Sequence, residues 1–136
     1  MSRVFYRIAA VLIALLDIGH SAGYPWSDPA WGVDLHAMQS SRFNLFGASR
    51  TYWDFYVGFG LTVSLFLLLA AVLAWQLGEW STDNPRRVRP TASVLLCAFA
   101  ALTLLNYAYF FVIPIVLAAA ITVSLAAAVS STQSLL

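Results

Sequence analysis

The stretch that decides the fold runs from Trp53 to Leu77 and reads WDFYVGFGLTVSLFLLLAAVLAWQL. It contains one charged residue, Asp54, and is otherwise dominated by leucine, valine, alanine and aromatic residues. A helix that spans a bilayer needs about 20 predominantly apolar residues. The stretch therefore predicts a transmembrane helix.

Three further apolar stretches complete the predicted fold, at residues 4–22, 92–109 and 112–130. The last two nearly fuse, but one helix of that length would far exceed a hydrocarbon core of about 30 Å, so the chain must fold back. Pro114 marks the return, because proline fits the first turn of a helix and disrupts its interior. The sequence predicts an all-α fold: a single integral membrane domain over residues 1–136, built as a four-transmembrane-helix bundle with a tight turn near residues 109–113.

Composition excludes several classes of protein. The chain is 61% hydrophobic and 10% charged, with a mean hydropathy of +0.80, whereas soluble domains carry about 25% charged residues. So few charges could not cover a soluble globule, and the lipid bilayer is the expected surrounding. A formal net charge of +1 gives no reason to expect nucleic acid as a partner. The single cysteine, Cys97, excludes an intramolecular disulfide and a CxxC pair.

The arginines predict the orientation. Five of them, Arg3, Arg7, Arg86, Arg87 and Arg89, fall on one side of a four-helix topology, and Arg42 and Arg50 fall on the other. By the positive-inside rule, the protein is a multi-pass protein of the cell membrane with both termini and the 78–90 loop in the cytoplasm. Asp17 interrupts the first apolar stretch, which favours a retained helix over a cleaved signal peptide.

The segment at residues 23–52 then lies outside. Asp28 followed by Pro29 is a typical helix start. Trp31, Leu35 and Met38 follow at helical spacing, which fits a short amphipathic helix on the membrane surface. An ordinary interfacial loop explains the same residues, and the two interpretations stay open.

Polar residues inside apolar helices point to a candidate site, because each of them is costly in lipid. Asp17 and His20 lie one turn apart in helix 1, and Arg50 and Asp54 flank the outer end of helix 2. The topology brings Asn106 of helix 3 to the same depth. The sequence predicts a site in the outer half of helices 1–3, with Asp17, His20 and Arg50 as catalytic candidates. The ligand-binding candidates are Trp53, Asp54, Tyr56, Asn106, Tyr109 and Phe110.

Each of these residues also has a structural interpretation. Thr51 and Asp54 have the spacing of a capping box, which would leave Arg50 as an interfacial cation. Asn106 and Tyr109 could hydrogen-bond helices together. Small-residue faces, such as Ala118 and Thr122 in helix 4, favour close packing within the bundle or between protomers. His20 and His36 have no recognised metal-ligand spacing, so no metal site is predicted, and the sequence indicates no particular cofactor.

The segment Arg50-Thr-Tyr-Trp53-Asp54-Phe55-Tyr56-Val-Gly58-Phe59-Gly60, preceded by Gly19-His20, carries a resemblance. It resembles small, uncharacterised bacterial four-helix integral membrane proteins with a GH…R-x-x-WDFY-x-GFG pattern. The resemblance covers helix 1 and the first half of helix 2. It implies a membrane fold and supplies no activity.

Two functions of different classes follow from these observations. The first is a membrane-embedded binding protein or small enzyme for a lipophilic molecule, with Asp17 and His20 as acid/base groups and Arg50 or Tyr109 stabilising negative charge. The second is a structural or accessory subunit whose polar groups only mediate helix packing, within a homo-oligomer or with a partner membrane protein. A proton-coupled transporter is disfavoured, because the inner halves of helices 1 and 3 offer almost no polar group.

Overall fold

The structure is a computed structural model that describes residues 1–23 and 34–133. Its elements are α1 (Ser2–Gly23), α2 (Leu35–Ser40), β1 (Arg42–Leu45), β2 (Ala48–Thr51), α3 (Tyr52–Trp80), α4 (Pro85–Tyr109) and α5 (Val112–Gln133). Within the described residues, four of the helices are long and apolar enough to cross a membrane: α1, α3, α4 and α5. The predicted all-α membrane fold with four such helices is confirmed at this level.

The chain divides into two compact units. Residues 1–17 and 67–136 form the first, which we call the bundle unit, and residues 18–66 form the second, the hairpin unit. The boundary cuts α1 after Asp17 and α3 after Phe66.

The bundle unit has a core to which all four long helices contribute. On α1 the buried residues recur at helical spacing, as Tyr6, Ala9, Ala10, Ile13 and Leu16 do. The other core residues are Leu67, Ala71, Ala74 and Leu77 of α3, Val88, Ala92, Leu95 and Phe99 of α4, and Ile121, Leu125, Ala128 and Val129 of α5. Many alanines in this core allow the helix backbones to approach closely, as in membrane bundles.

The exterior of the bundle unit is apolar as well. Leu68 and Leu69 of α3, Val94 of α4 and Val123 of α5 are all more than half exposed. A soluble protein rarely exposes contiguous apolar surface of this kind, whereas a lipid-facing helix does. The exposed leucines and valines therefore fit helices that lie in a bilayer.

Helix α4 begins earlier than the sequence analysis predicted. The predicted loop at 78–90 is reduced to a short connection, because α3 continues to Trp80 and α4 starts at Pro85. Asn84 is the N-cap residue and Pro85 occupies the first turn, where a missing N–H costs nothing. The helix then continues through Pro90. Asn84 and Pro85 show the same cap-and-proline pattern in the sequence as Asp28 and Pro29.

The return between α4 and α5 lies where it was predicted. Helix α4 ends at Tyr109 and α5 starts at Val112, so Phe110 and Phe111 make the turn. Pro114 occupies the first turn of α5. The hydroxyls of Thr103 and Thr122 are 3.1 Å apart and join the two antiparallel helices.

The hairpin unit contains a β-hairpin that the sequence analysis did not predict. Strands β1 and β2 pair antiparallel, with Arg42 opposite Thr51 and Leu45 opposite Ala48. Phe46 and Gly47 connect them, both with positive φ (48° and 80°). Two residues with positive φ form the type I′ turn that matches the twist of a hairpin. Glycine adopts this conformation freely but phenylalanine rarely does, so the residues Phe46 and Gly47 do not predict this turn from sequence.

Helix α2 does not confirm the predicted amphipathic surface helix. It is six residues long and starts at Leu35, and the carboxylate of its N-cap residue, Asp34, accepts a hydrogen bond from Ala37 N at 2.9 Å. Leu35 and Met38 are half-buried within it, and His36 is exposed. The predicted start at Asp28, Pro29 and Trp31 lies outside the described residues.

Candidate functional site

The predicted site residues divide between the two units. Asp17, Asn106, Tyr109 and Phe110 belong to the bundle unit. His20, Arg50, Trp53, Asp54 and Tyr56 belong to the hairpin unit. The predicted polar cluster across helices 1–3 stays a prediction.

Asp54 forms a capping box with Thr51 at the start of α3. Its Oδ2 accepts a hydrogen bond from Thr51 N at 2.8 Å, and its own N–H donates to Thr51 Oγ1 at 3.1 Å. This reciprocal pair satisfies two backbone donors that a helix start would otherwise leave unpaired. Thr51 is buried, whereas Asp54 is exposed. One carboxylate oxygen of Asp54 therefore has a structural task.

Arg50 does not pair with this carboxylate. Its Nη1 donates to the carbonyl of Ser49 at 2.9 Å, and neither Arg50 nor Asp54 takes part in an ion pair with any residue that the structure describes. The side chain is exposed at the end of β2. The positive charge of Arg50 thus remains accessible beside a capped helix end.

An open cavity of about 330 Å³ lies at this position. It is lined by Arg50 of β2 and by residues of the first two turns of α3. They combine a cation, a carboxylate and apolar groups: Arg50, Asp54, Trp53, Val57 and Gly58. Ligand sites of this size are usually apolar clefts with a few polar groups that fix orientation. The residues of this cavity, which we call the outer groove, have that composition.

Aromatic rings brace the helix start on which the outer groove is built. The rings of Trp53 and Tyr56 stack with centroids 5.4 Å apart. Phe43 of β1 lies 5.2 Å from the rings of both Tyr52 and Phe55, measured between centroids. These contacts fix the hairpin against the first turns of α3. Trp53 and Tyr56, both predicted ligand residues, pack against each other.

His20 and its neighbour bond α1 to α3 within the hairpin unit. The Nε2 atom of His20 lies 3.1 Å from the carbonyl oxygen of Gly60, and it donates in the tautomer that carries its proton there. The hydroxyls of Ser21 and Ser64 are 2.8 Å apart. Both contacts join positions about 40 residues apart in sequence, as interhelical hydrogen bonds in membrane proteins do.

Asn106 has a structural role in the hairpin between α4 and α5. It is 6% exposed, and its Nδ2 donates to the carbonyl of Pro114 at 3.2 Å. Its own carbonyl accepts the N–H of Phe110 at 2.9 Å. Tyr109 is 78% exposed and Phe110 60%. Of these three ligand candidates, only Asn106 is buried, and it is engaged by the turn.

A charged cluster of two arginines and one glutamate lies in the bundle unit. Glu79 accepts hydrogen bonds from Arg3 and from Arg7, the latter at 2.7 Å. The guanidinium of Arg7 also lies over the ring of Trp75, 4.8 Å from its centroid. The i, i+4 spacing of Arg3 and Arg7 is visible in the sequence and puts both on one face of α1. The sequence does not show that both arginines bind the same glutamate, because this depends on how α1 packs against α3.

The described residues contain no group of three or more histidine, cysteine, aspartate or glutamate side chains close enough to hold a metal ion. No family model, curated protein or solved structure matches the chain. The resemblance to small bacterial four-helix membrane proteins therefore stays a prediction from sequence.

Proposed function

We propose that this chain is a membrane-embedded binding protein for a lipophilic molecule with a compact, uncharged polar head group. The outer groove carries this proposal. Trp53 and Val57 supply apolar wall, the guanidinium of Arg50 supplies donors, and the carboxylate of Asp54 supplies an acceptor. One cation and one carboxylate in the same groove compensate each other's charge. A hydroxyl head group, which can both accept from Arg50 and donate to Asp54, would suit this pair better than an anion or a cation.

Of the two roles considered for a lipophilic molecule, binding and catalysis, the geometry supports binding better. A general acid or base must have its titrating atom within hydrogen-bond reach of the substrate. In the hairpin unit, one oxygen of Asp54 is held by the backbone of Thr51, and Nε2 of His20 faces the carbonyl of Gly60. Arg50 remains accessible, and it suits recognition of a polar head group.

The test compares two arginines of the same hairpin. The full chain, purified in detergent, is titrated with tetradecanol and with tetradecane, and binding is followed by thermal stability. Arg50→Gln should weaken the binding of tetradecanol at least about ten-fold, because a hydrogen bond to a charged group is lost. Arg42→Gln removes an exposed arginine from β1 and should leave binding unchanged. Equal affinities in the parent and Arg50→Gln would reject the groove.

A second variant tests the volume of the groove. A Cβ built at Gly58 meets no atom within 4 Å, so Gly58→Val should fold. The new side chain should fill part of the groove and reduce affinity for both probes. Mass spectrometry of molecules that copurify with the parent and not with Gly58→Val would then identify the natural ligand.

The alternative function is a structural or accessory membrane subunit. It is favoured by polar side chains of the long helices that bond to one another, such as Thr103 with Thr122 and Tyr6 with Thr132, whose oxygens are 3.4 Å apart. A chain that copurifies empty, with a partner membrane protein or as a homo-oligomer, would support this function over ligand binding.

We also propose an orientation in the cell membrane. Both termini and the connection between α3 and α4 would lie in the cytoplasm, and the β-hairpin of residues 42–51 would lie outside. The split of the arginines, five against two, supports this assignment.

A further inference from the structure

One end of the bundle unit gathers five of the seven arginines of the chain. The hydroxyls of Ser2 and Ser81 are 3.1 Å apart, so the start of α1 lies beside the connection between α3 and α4. Tyr6 contacts Thr132, which brings the last turn of α5 to the same end. We call this the basic end; its cations are Arg3, Arg7, Arg86, Arg87 and Arg89.

The charge of the basic end is only partly balanced by the chain. Its acidic residues are Glu79 and Asp83, so five positive and two negative side chains leave a formal charge of +3. Glu79 is engaged by Arg3 and Arg7. Arg86 and Arg87 are exposed, and neither forms an ion pair within the described residues. The charges of Arg86 and Arg87 therefore face outward, and no described residue supplies a counter-ion to them.

The position of these arginines in α4 adds to the imbalance. They occupy the first turns of the helix, where the helix dipole favours negative charge. The first turn contains no acidic residue, and the side chain of Asn84 makes no capping hydrogen bond. Arginines at this end of a helix are unfavourable in isolation and become favourable beside an anion.

We propose that the basic end binds the phosphate groups of anionic phospholipids in the adjacent leaflet. Helices that span the bilayer end at the level of the head groups, where phosphates are concentrated. Trp80, at the end of α3, is half-exposed, and tryptophan is enriched at this level of a membrane. Arginine binds phosphate through two parallel N–H bonds. This site belongs to the bundle unit and does not depend on the outer groove.

The experiment measures lipid preference on the full chain. Native mass spectrometry follows the binding of phosphatidylglycerol and of phosphatidylcholine from mixed micelles. Each arginine near an anionic surface contributes about five-fold in affinity. Arg86→Gln with Arg87→Gln should therefore weaken binding of phosphatidylglycerol about 25-fold, with little effect on phosphatidylcholine. The matched double change to lysine keeps the charge and should retain most of the preference.

A variant that is expected to bind more tightly serves as a second test, because a variant that fails to fold would only lose binding. Asp83 is exposed and, among the residues that the structure describes, accepts a side-chain hydrogen bond only from its neighbour Thr82, at 3.1 Å. Asp83→Asn removes a negative charge from the same end and should tighten the binding of phosphatidylglycerol about five-fold. The single changes Arg86→Gln and Arg87→Gln complete the series if the double variant does not fold.

Three outcomes would overturn the proposal. The first is equal affinity for the two lipids in the parent, or no loss in the arginine variants. The second is displacement of phosphatidylglycerol by millimolar inorganic phosphate, which would assign the basic end to a free anion. The third is tighter binding of a polyglutamate peptide than of phosphatidylglycerol, which would assign it to an acidic protein.

Discussion

Gly78 of α3 lies directly against Tyr6 of α1. A Cβ built at Gly78 would come within 3.1 Å of the Cβ of Tyr6 and 3.4 Å of the carbonyl oxygen of Arg3. The contact lies one residue before Glu79, whose carboxylate receives Arg3 and Arg7. The absence of a side chain at position 78 thus lets the two helices approach closely enough for the ion pairs to form.

The first prediction concerns this close approach. Gly78→Val should destabilise the protein by about 1–3 kcal/mol, because the added side chain must displace the α1 backbone or Tyr6. Thermal unfolding in detergent measures the effect. Gly58→Val, in the same helix, places its Cβ where no atom lies within 4 Å and serves as the control. Equal stabilities of the two variants would show that the helices do not meet at Gly78.

The second prediction concerns the turn between α4 and α5. Asn106→Leu should cost about 1 kcal/mol, because the carbonyl of Pro114 loses its buried donor. The comparison is Tyr109→Phe, which removes a polar group from a residue that is 78% exposed and should not change the unfolding temperature. If Tyr109→Phe is the more damaging change, the hydroxyl of Tyr109 has a role that the turn does not explain.

The third prediction separates helix capping from ligand binding at the start of α3. Thr51→Ala removes the hydroxyl that accepts from Asp54 N and should reduce the stability of the protein by about 1 kcal/mol. Asp54→Asn keeps that hydroxyl and an amide oxygen that can accept from Thr51 N, so it should be milder. The affinity for tetradecanol should fall in Asp54→Asn and stay unchanged in Thr51→Ala. The reverse order of affinities would limit Asp54 to its capping role.

The fourth prediction is the membrane orientation. In a Cys97→Ser background, a cysteine at the exposed position Thr82 should react with an impermeant reagent only from the cytoplasmic side. A cysteine at the exposed position Gln39 should react only from outside. Labelling of both positions from the same side would exclude a topology in which α3 crosses the membrane.

The sequence by itself determined the class of the fold and the number of long helices. Unpaired backbone N–H and C=O groups are energetically unfavourable in lipid. An apolar run such as 53–77 therefore forms a helix, in which the backbone satisfies its own hydrogen bonds. The turn before Pro114 followed from the same reasoning, since a double-length helix would not fit the bilayer. The capping box of Thr51 and Asp54 was also readable, because its partners are three residues apart.

Only the tertiary structure decided which distant residues meet. Glu79 receives Arg3 and Arg7 because two helices, more than 70 residues apart in sequence, cross at Gly78. Asn106 is a ligand candidate because it is polar, but in the structure its side chain donates a hydrogen bond to the carbonyl of Pro114. The β-hairpin was missed because Phe46 replaces the usual small residue in a turn with positive φ. The polarity and spacing of residues indicate which side chains are unfavourable to bury in lipid. Which residue each of them contacts depends on how the helices pack.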